Sequence, residues 1–130
     1  MPNKIEFLVE NDILLDHLTQ EDISIPSVLE IAMTQGFCFT TVVNASELYF
    51  NASTQAERES VDKVLYALKI LGIHQRYSLN ISKFFNKVAT TRDAIICSVA
   101  LNNKLPILTG EVERYRESGI KIITPKELRG

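Results

Sequence analysis

A chain of 130 residues in which 45% are hydrophobic and 23% are charged has the composition of an ordinary globular protein. No apolar run reaches the ~18 to 20 residues that span a bilayer. Glu6 and Glu10 interrupt the first apolar stretch, which argues against a secretory signal. We therefore predict a single domain over residues 1–130, located in the cytoplasm.

The first predicted unit is an apolar strand over Ile5–Val9 that leads at once into an amphipathic helix. Glu10, Asn11 and Asp12 follow the strand directly, and apolar residues then recur at helical spacing over residues 13–18. Carboxylates therefore stand at the C-terminal end of a strand. In open α/β sheets this is the edge at which ligands bind.

A second strand and helix follow. Pro26 stands where a helix can begin, and Gly36 stands where it ends. Residues 37–40 are short and rich in β-forming side chains, and residues 42–52 then show helical periodicity. Glu47 lies on this third helix among apolar neighbours, where a carboxylate without a partner is costly to bury. Glu47 is therefore a candidate functional residue.

The second half of the chain continues the alternation. Thr54 and Glu57 have the spacing of a capping box, which predicts a long amphipathic helix. Asp93 stands in the first turn of a later helix that begins at Thr90 or Thr91. The other predictions are a helix end at Gly72, a third strand over residues 73–79, a short basic helix over 80–88, a fourth strand over 104–108, a short helix from Glu111 and a fifth strand over 120–123.

This alternation predicts an α/β fold, a three-layer α/β/α sandwich with a central, mostly parallel sheet of about five strands. Four carboxylates can reach its carboxyl edge: Glu10, Glu47, Asp93 and Glu111. Such acids repel one another unless cations neutralise them, and oxygen ligands select Mg²⁺ or Mn²⁺, the metals of phosphodiester hydrolysis. Helix capping or a first-turn position is the structural alternative for each acid except Glu47.

Acidic and basic residues are segregated along the chain. Residues 1–62 hold eleven acidic and two basic residues, whereas residues 63–92 hold six basic residues and no acid. A basic band beside an acidic pocket suits an enzyme that acts on a polyanion, and solvated helix faces are the alternative. The candidate RNA-binding residues are Lys83, Lys87, Arg92 and Arg76.

The two cysteines show neither a CxxC pattern nor a nearby histidine. Cys38 and Cys97 both lie in apolar contexts. We therefore predict buried free thiols and neither a zinc site nor a redox pair.

Four blocks in order resemble the signature blocks of the PIN-domain ribonucleases, most closely the VapC-type toxins of toxin-antitoxin pairs. They read FLVENDILLDHL, TTVVNASELYF, ATTRDAIICSVAL and LPILTGEVERY. The resemblance covers nearly the whole chain, and its specificity comes from the order and spacing of the four blocks. It implies a metal-dependent endoribonuclease that uses Mg²⁺ or Mn²⁺.

By this resemblance the catalytic and metal-binding acids are Glu10, Glu47, Asp93 and Glu111, with Asp12 as a further candidate metal ligand. Thr109 and Asn11 are implied as supporting residues. The sequence departs from the family at two positions, because Glu10 stands where Asp is usual and Glu111 where Asp or Asn is usual. A non-catalytic PIN domain that binds RNA or a partner protein is therefore the alternative. The resemblance also implies a small antitoxin protein as partner and a homodimer.

Overall fold

The structure of the protein is a computed structural model that describes residues 5–130. Residues 1–4, which the predicted domain includes, lie outside the described residues. The strands are β1 (Ile5–Val9), β2 (Gly36–Thr41), β3 (Lys69–Leu71), β4 (Ile107–Leu108) and β5 (Ile122–Ile123). The helices are α1 (Asn11–Thr19), α2 (Val28–Gln35), α3 (Val42–Asn51), α4 (Gln55–Tyr66), α5 (Ser78–Ile81), α6 (Thr91–Asn103), α7 (Val112–Tyr115) and α8 (Pro125–Arg129). Short 3-10 turns cover Gln75–Tyr77, Ser82–Phe84 and Arg116–Ser118.

The five strands form one parallel sheet in the order β3-β2-β1-β4-β5. β1 lies at its centre, and the chain reverses direction across the sheet between β3 and β4. All five carboxyl ends therefore meet at one edge. This arrangement confirms the predicted α/β class and the predicted parallel sheet of about five strands.

Alternating side chains of β1 face two separate helical layers, as the pleat of a strand requires. Phe7 and Val9 pack in the larger core cluster with α1, α2 and α4, whereas Leu8 packs in the second cluster with α6. All three residues are fully buried. Burial on both faces explains why this strand reads as a continuous apolar run.

The predicted position of the third strand is wrong. The long helix ends at Tyr66 and not at Gly72, and β3 pairs with β2 over Lys69–Leu71, before residues 73–79. Leu68 and Leu71 continue the helical spacing of α4, and a short apolar run cannot be assigned to helix or strand by periodicity alone. Pairing with β2 decides in favour of a strand. Residues 75–84 form short helical turns instead.

None of the helices within residues 5–130 is long and apolar enough to cross a membrane. α8 was not predicted from the sequence. A capping box between Thr124 and Glu127, with Pro125 in its first turn, starts this helix.

Cys38 and Cys97 are buried free thiols, as predicted. Burial raises the pKa of Cys38 to about 11 and that of Cys97 to about 12. Because the thiolate is the reactive form, we expect a thiol reagent such as DTNB to label the native protein at least about 100-fold more slowly than the unfolded protein at pH 8. Time courses with and without guanidinium chloride measure this ratio. Equal rates would contradict the buried placement.

Candidate active site

The four predicted acids line one open pocket at the carboxyl edge of the sheet. Glu10 follows β1, Glu47 lies on α3, Asp93 stands in the first turn of α6 and Glu111 follows β4. Glu10 and Asp93 are buried, whereas the side chains of Glu47 and Glu111 are 39% and 48% exposed. The topology therefore brings together residues that are up to 101 positions apart in the sequence.

Glu10 is the most deeply embedded acid of the pocket. Its Oε1 accepts hydrogen bonds from the Asn11 backbone N–H at 2.9 Å and from Asn44 Nδ2 at 2.8 Å. Its Oε2 accepts the hydroxyl hydrogen of Tyr115 at 2.7 Å. Asn44 and Tyr115 are themselves fully buried, so neither can move away from Glu10 without disturbing the core.

Arg92 lies between the carboxylates of the pocket. Its Nη1 donates to Glu10 Oε2 at 2.5 Å, and its Nη2 donates to Glu10 Oε1 at 2.6 Å. Its Nη2 also donates to Glu47 Oε1 at 2.8 Å, and its Nε lies 3.1 Å from both Glu47 oxygens. Asp93 Oδ1 accepts from Nη1 at 3.2 Å. One guanidinium therefore contacts three of the four predicted metal-binding acids.

Arg114, on α7, approaches the same pocket from its outer side. Its guanidinium lies 3.1 Å from Glu111 and 3.7 Å from both Glu10 and Asp93. Its side chain is 40% exposed. The four predicted acids are thus accompanied by two guanidinium groups, which leaves two negative charges among these six side chains.

The predicted supporting residues hold the loops of the pocket together. Asp12 accepts from the Thr109 hydroxyl at 2.9 Å and from the Gly110 backbone N–H at 2.8 Å, so its carboxylate ties α1 to the loop after β4. Asn11 Nδ2 donates to Glu47 Oε1 at 2.7 Å. Both oxygens of Asp12 are engaged in this link between α1 and the loop after β4.

The ionisation of Glu10 is set by opposing effects. Burial raises the pKa of the Glu10 carboxyl, but the hydrogen bonds and charge of Arg92, with the Tyr115 hydroxyl and the Asn11 N–H, bring that pKa below its ordinary value. Burial and the adjacent Glu10 charge raise the pKa of the Tyr115 phenol. Glu10 is therefore a carboxylate and Tyr115 a neutral donor near pH 7.

The pocket has the donor chemistry that a hard divalent cation prefers, because the carboxylate oxygens of its acids lie around one positively charged group. In the present arrangement that group is the guanidinium of Arg92. Within residues 5–130, no three His, Cys, Asp or Glu side chains are arranged so that they could hold a metal ion together. The residues fit such a metal in kind, and the guanidinium of Arg92 stands among them.

Helix capping does not explain the acids fully. Thr90 caps α6 by accepting the Asp93 backbone N–H at 3.1 Å, while the Asp93 carboxylate faces the pocket. Glu111 stands at the N-cap of α7, and its side chain makes no capping hydrogen bond. Glu10 does cap α1 through the Asn11 N–H. The other hydrogen bonds of the Glu10 carboxylate all join it to the side chains of Asn44, Arg92 and Tyr115.

The sequence analysis did not single out three residues that contact the pocket acids, Asn44, Arg114 and Tyr115. A signal for Asn44 was present, because it precedes Glu47 by three positions on one helix and so lies on the same face. Of the predicted RNA-binding residues, Lys83, Lys87 and Arg76 are exposed and lie outside the pocket lining. Arg92 differs from them, because its guanidinium is paired with carboxylates.

A parallel 3-2-1-4-5 sheet with acids at its carboxyl edge defines a PIN-like α/β protein. No protein-family model matches the sequence, and no curated protein matches it. Solved structures do match in fold. A chain of DNA-bound VapBC2 from Rickettsia felis superimposes with a TM-score of 0.78 at 13% identity, over 92% of this chain and 98% of that one.

Two further matches have similar values. DNA-bound VapBC from Salmonella typhimurium gives a TM-score of 0.74 at 15% identity, over 93% of this chain and 98% of that one. FitAcB from Neisseria gonorrhoeae gives 0.71 at 12% identity, over 92% and 98%. These likenesses confirm, at the level of the fold, the resemblance to the PIN-domain family predicted from the four sequence blocks.

Proposed function

We propose that the protein is a metal-dependent endoribonuclease, the toxin of a toxin-antitoxin pair, that hydrolyses RNA phosphodiester bonds. The observation that carries this proposal is the convergence of Glu10, Glu47 and Asp93 on a single cation at the carboxyl edge of a PIN-like sheet. Glu111 adds a fourth carboxylate at the rim.

These four residues would hold Mg²⁺ or Mn²⁺, which supplies a water of lowered pKa and stabilises charge on the scissile phosphate. The chain's own groups position the acids. Asn44 and Tyr115 orient the two oxygens of Glu10, and Asn11 orients Glu47. Asp12 and Thr109 hold the loop that carries Glu111.

RNA would approach along the basic segment that precedes Asp93 in sequence. Lys83, Lys87 and Arg76 are exposed there and can contact phosphates, which gives affinity without sequence specificity. Arg92, at the end of this segment, reaches the pocket itself. Its role in RNA binding therefore depends on release from Glu10 and Glu47.

The partner proposed for such a toxin is a small antitoxin protein. An apolar groove between α3 and α4 suits this partner, since it is lined by Tyr49, Leu65, Tyr66 and Ile70, and Tyr66 is 92% exposed. By contrast the apolar residues Val28, Leu29 and Ala32 of α2 are buried in the core and offer no such groove. We also propose a homodimer, in line with the family resemblance.

A specific observation favours a second candidate, a non-catalytic PIN domain that binds RNA or a partner protein. Arg92 forms ion pairs with Glu10, Glu47 and Asp93 without any metal. Glu10 and Glu111 are also each one methylene longer than the residues usual in the family. In that case the pocket would be a structural ion-pair network.

Cleavage of structured RNAs by the purified protein, with Mg²⁺, Mn²⁺ or EDTA, tests the proposal. We expect metal-dependent cutting that falls by about 100-fold or more in Asp93→Asn, because the substitution removes a buried pocket carboxylate. Asp16→Asn, the same change at an exposed position of α1, is the matched control and should cut at the wild-type rate. A folded protein that binds RNA but cuts none under either metal would support the second candidate.

A further inference from the structure

Arg92 makes more contacts with the pocket acids than any ordinary surface ion pair requires. Its guanidinium reaches both oxygens of Glu10, both oxygens of Glu47 and one oxygen of Asp93. The planar fork of an arginine suits this task, because its five donors lie in fixed directions that match carboxylate oxygens. The cation position of the pocket is therefore filled by the chain itself.

The position of Arg92 in the sequence places its guanidinium close to the pocket acids. Arg92 directly precedes Asp93 in the first turn of α6, and the Thr90 hydroxyl holds that turn by accepting the Asp93 N–H. The same helix start thus supplies a carboxylate and a cation that competes for it. The Arg92 side chain is 19% exposed, so it is in contact with solvent while it holds the buried acids.

We propose that Arg92 is a resident counter-ion of this pocket, and that a divalent metal ion binds only when the guanidinium leaves Glu10, Glu47 and Asp93. The inference rests on the proposed function and adds a form of regulation to the same site. The apparent metal affinity is then the intrinsic affinity multiplied by the fraction of molecules in which Arg92 is displaced. If that fraction is about one in ten to one in a hundred, the apparent dissociation constant rises by about 10-fold to 100-fold.

Arg114 provides a matched control within the same pocket. It carries the same charge, but its closest atoms lie 3.7 Å from Glu10 and Asp93, and its shortest ion pair is with the half-exposed Glu111. Removing Arg114 changes the net charge of the pocket by one unit, as removing Arg92 does. It leaves the guanidinium between Glu10 and Glu47 in place. The two arginines therefore separate an effect of charge from an effect of position.

The experiment measures Mn²⁺ binding in the absence of RNA, by calorimetry and by loss of the free-ion EPR signal, for the wild-type protein, Arg92→Gln and Arg114→Gln. Glutamine keeps a side-chain amide donor and removes the charge. We expect Arg92→Gln to bind Mn²⁺ about 10-fold or more tightly than the wild type, and Arg114→Gln to change affinity by less than about 3-fold. Mn²⁺ should also raise the Tm of Arg92→Gln more than that of the wild type.

Two results would overturn the proposal. If Arg92→Gln binds Mn²⁺ no more tightly than the wild type, Arg92 does not compete with the metal. If Arg92→Gln and Arg114→Gln gain affinity equally, only the net charge of the pocket matters.

Should Arg92→Gln fail to fold, the wild-type protein carries the test. The Arg92 Nε–H resonance, assigned by its loss in Arg92→Lys, should be protected from exchange without metal and lose that protection in excess Mg²⁺. A resonance that Mg²⁺ leaves unchanged would contradict displacement. The metal-binding result is independent of nuclease activity. Tighter metal binding without RNA cleavage would reject only the ribonuclease proposal. Cleavage without the change in metal affinity would reject only the role of Arg92.

Discussion

Exchanging Glu10 for glutamine should lower the free energy of unfolding by about 3 kcal/mol, because it leaves the Arg92 guanidinium without its closest carboxylate in a largely buried site. Glutamine keeps the size of the side chain, so cavity formation does not contribute. Urea unfolding monitored by circular dichroism measures the change. Glu113→Gln, which removes an exposed carboxylate paired with Arg116, is the control and should change stability by less than about 0.5 kcal/mol. Equal effects would show that the pocket ion pair does not stabilise the fold.

The pH dependence of this loss follows from the lowered pKa of Glu10. A carboxyl whose pKa is lowered in the folded state stabilises the protein fully at pH values above its unfolded-state pKa, which is near 4.5. This stabilisation disappears as the pH falls through the folded-state pKa. The difference in stability between wild type and Glu10→Gln should therefore be full at pH 6 to 7 and shrink below about pH 4.5. A difference that stays constant across this range would contradict the assigned ionisation.

Gly36→Ala should destabilise the protein by about 3 kcal/mol, at the upper end of what overpacking costs. A methyl group at Gly36 would lie 1.9 Å from the Ile5 carbonyl oxygen and 2.7 Å from its carbon. These are backbone atoms of β1, which pairs with β2 at this residue, so no flexible side chain can move aside. The expected readout is a lower midpoint of urea unfolding.

Gly72→Ala is the matched control for this prediction. A Cβ at Gly72 would meet nothing within 4 Å, so its replacement should leave stability within about 0.5 kcal/mol of the wild type. If both variants behave alike, the close approach of β1 and β2 at Gly36 is not as the structure has it.

At both positions that depart from the family pattern, Glu10 and Glu111, neighbouring side chains hold the longer carboxylate. The longer carboxylate of Glu10 is held by Asn44, Tyr115 and Arg92. Asp12 is engaged elsewhere, because its oxygens accept from Thr109 and Gly110. Glu111 is half-exposed and pairs with Arg114. The extra length at each position is therefore taken up by side-chain partners, and these partners include both arginines of the pocket.

The sequence alone determined those helices and strands whose position is marked by neighbouring residues. The apolar run of β1, the stop at Gly36 and the Thr90 cap of α6 are each decided by residues next to one another, and each prediction agrees with the structure. The prediction that Glu10, Glu47, Asp93 and Glu111 can reach one edge followed from the alternation of strands and helices, since the carboxyl ends of parallel strands share one edge. That prediction needed no knowledge of side-chain contacts.

Tertiary structure alone decided the rest, because the deciding contacts join distant parts of the chain. β3 is a strand because it pairs with β2, although its apolar spacing also fits the preceding helix. Tyr115 meets Glu10 across 105 positions, and no periodicity links them. Arg92 stands in a basic segment, and its sequence neighbours indicate a surface cation. The packing of α6 against β1 instead places its guanidinium in the acidic pocket, where it is the counter-ion of the buried Glu10 carboxylate.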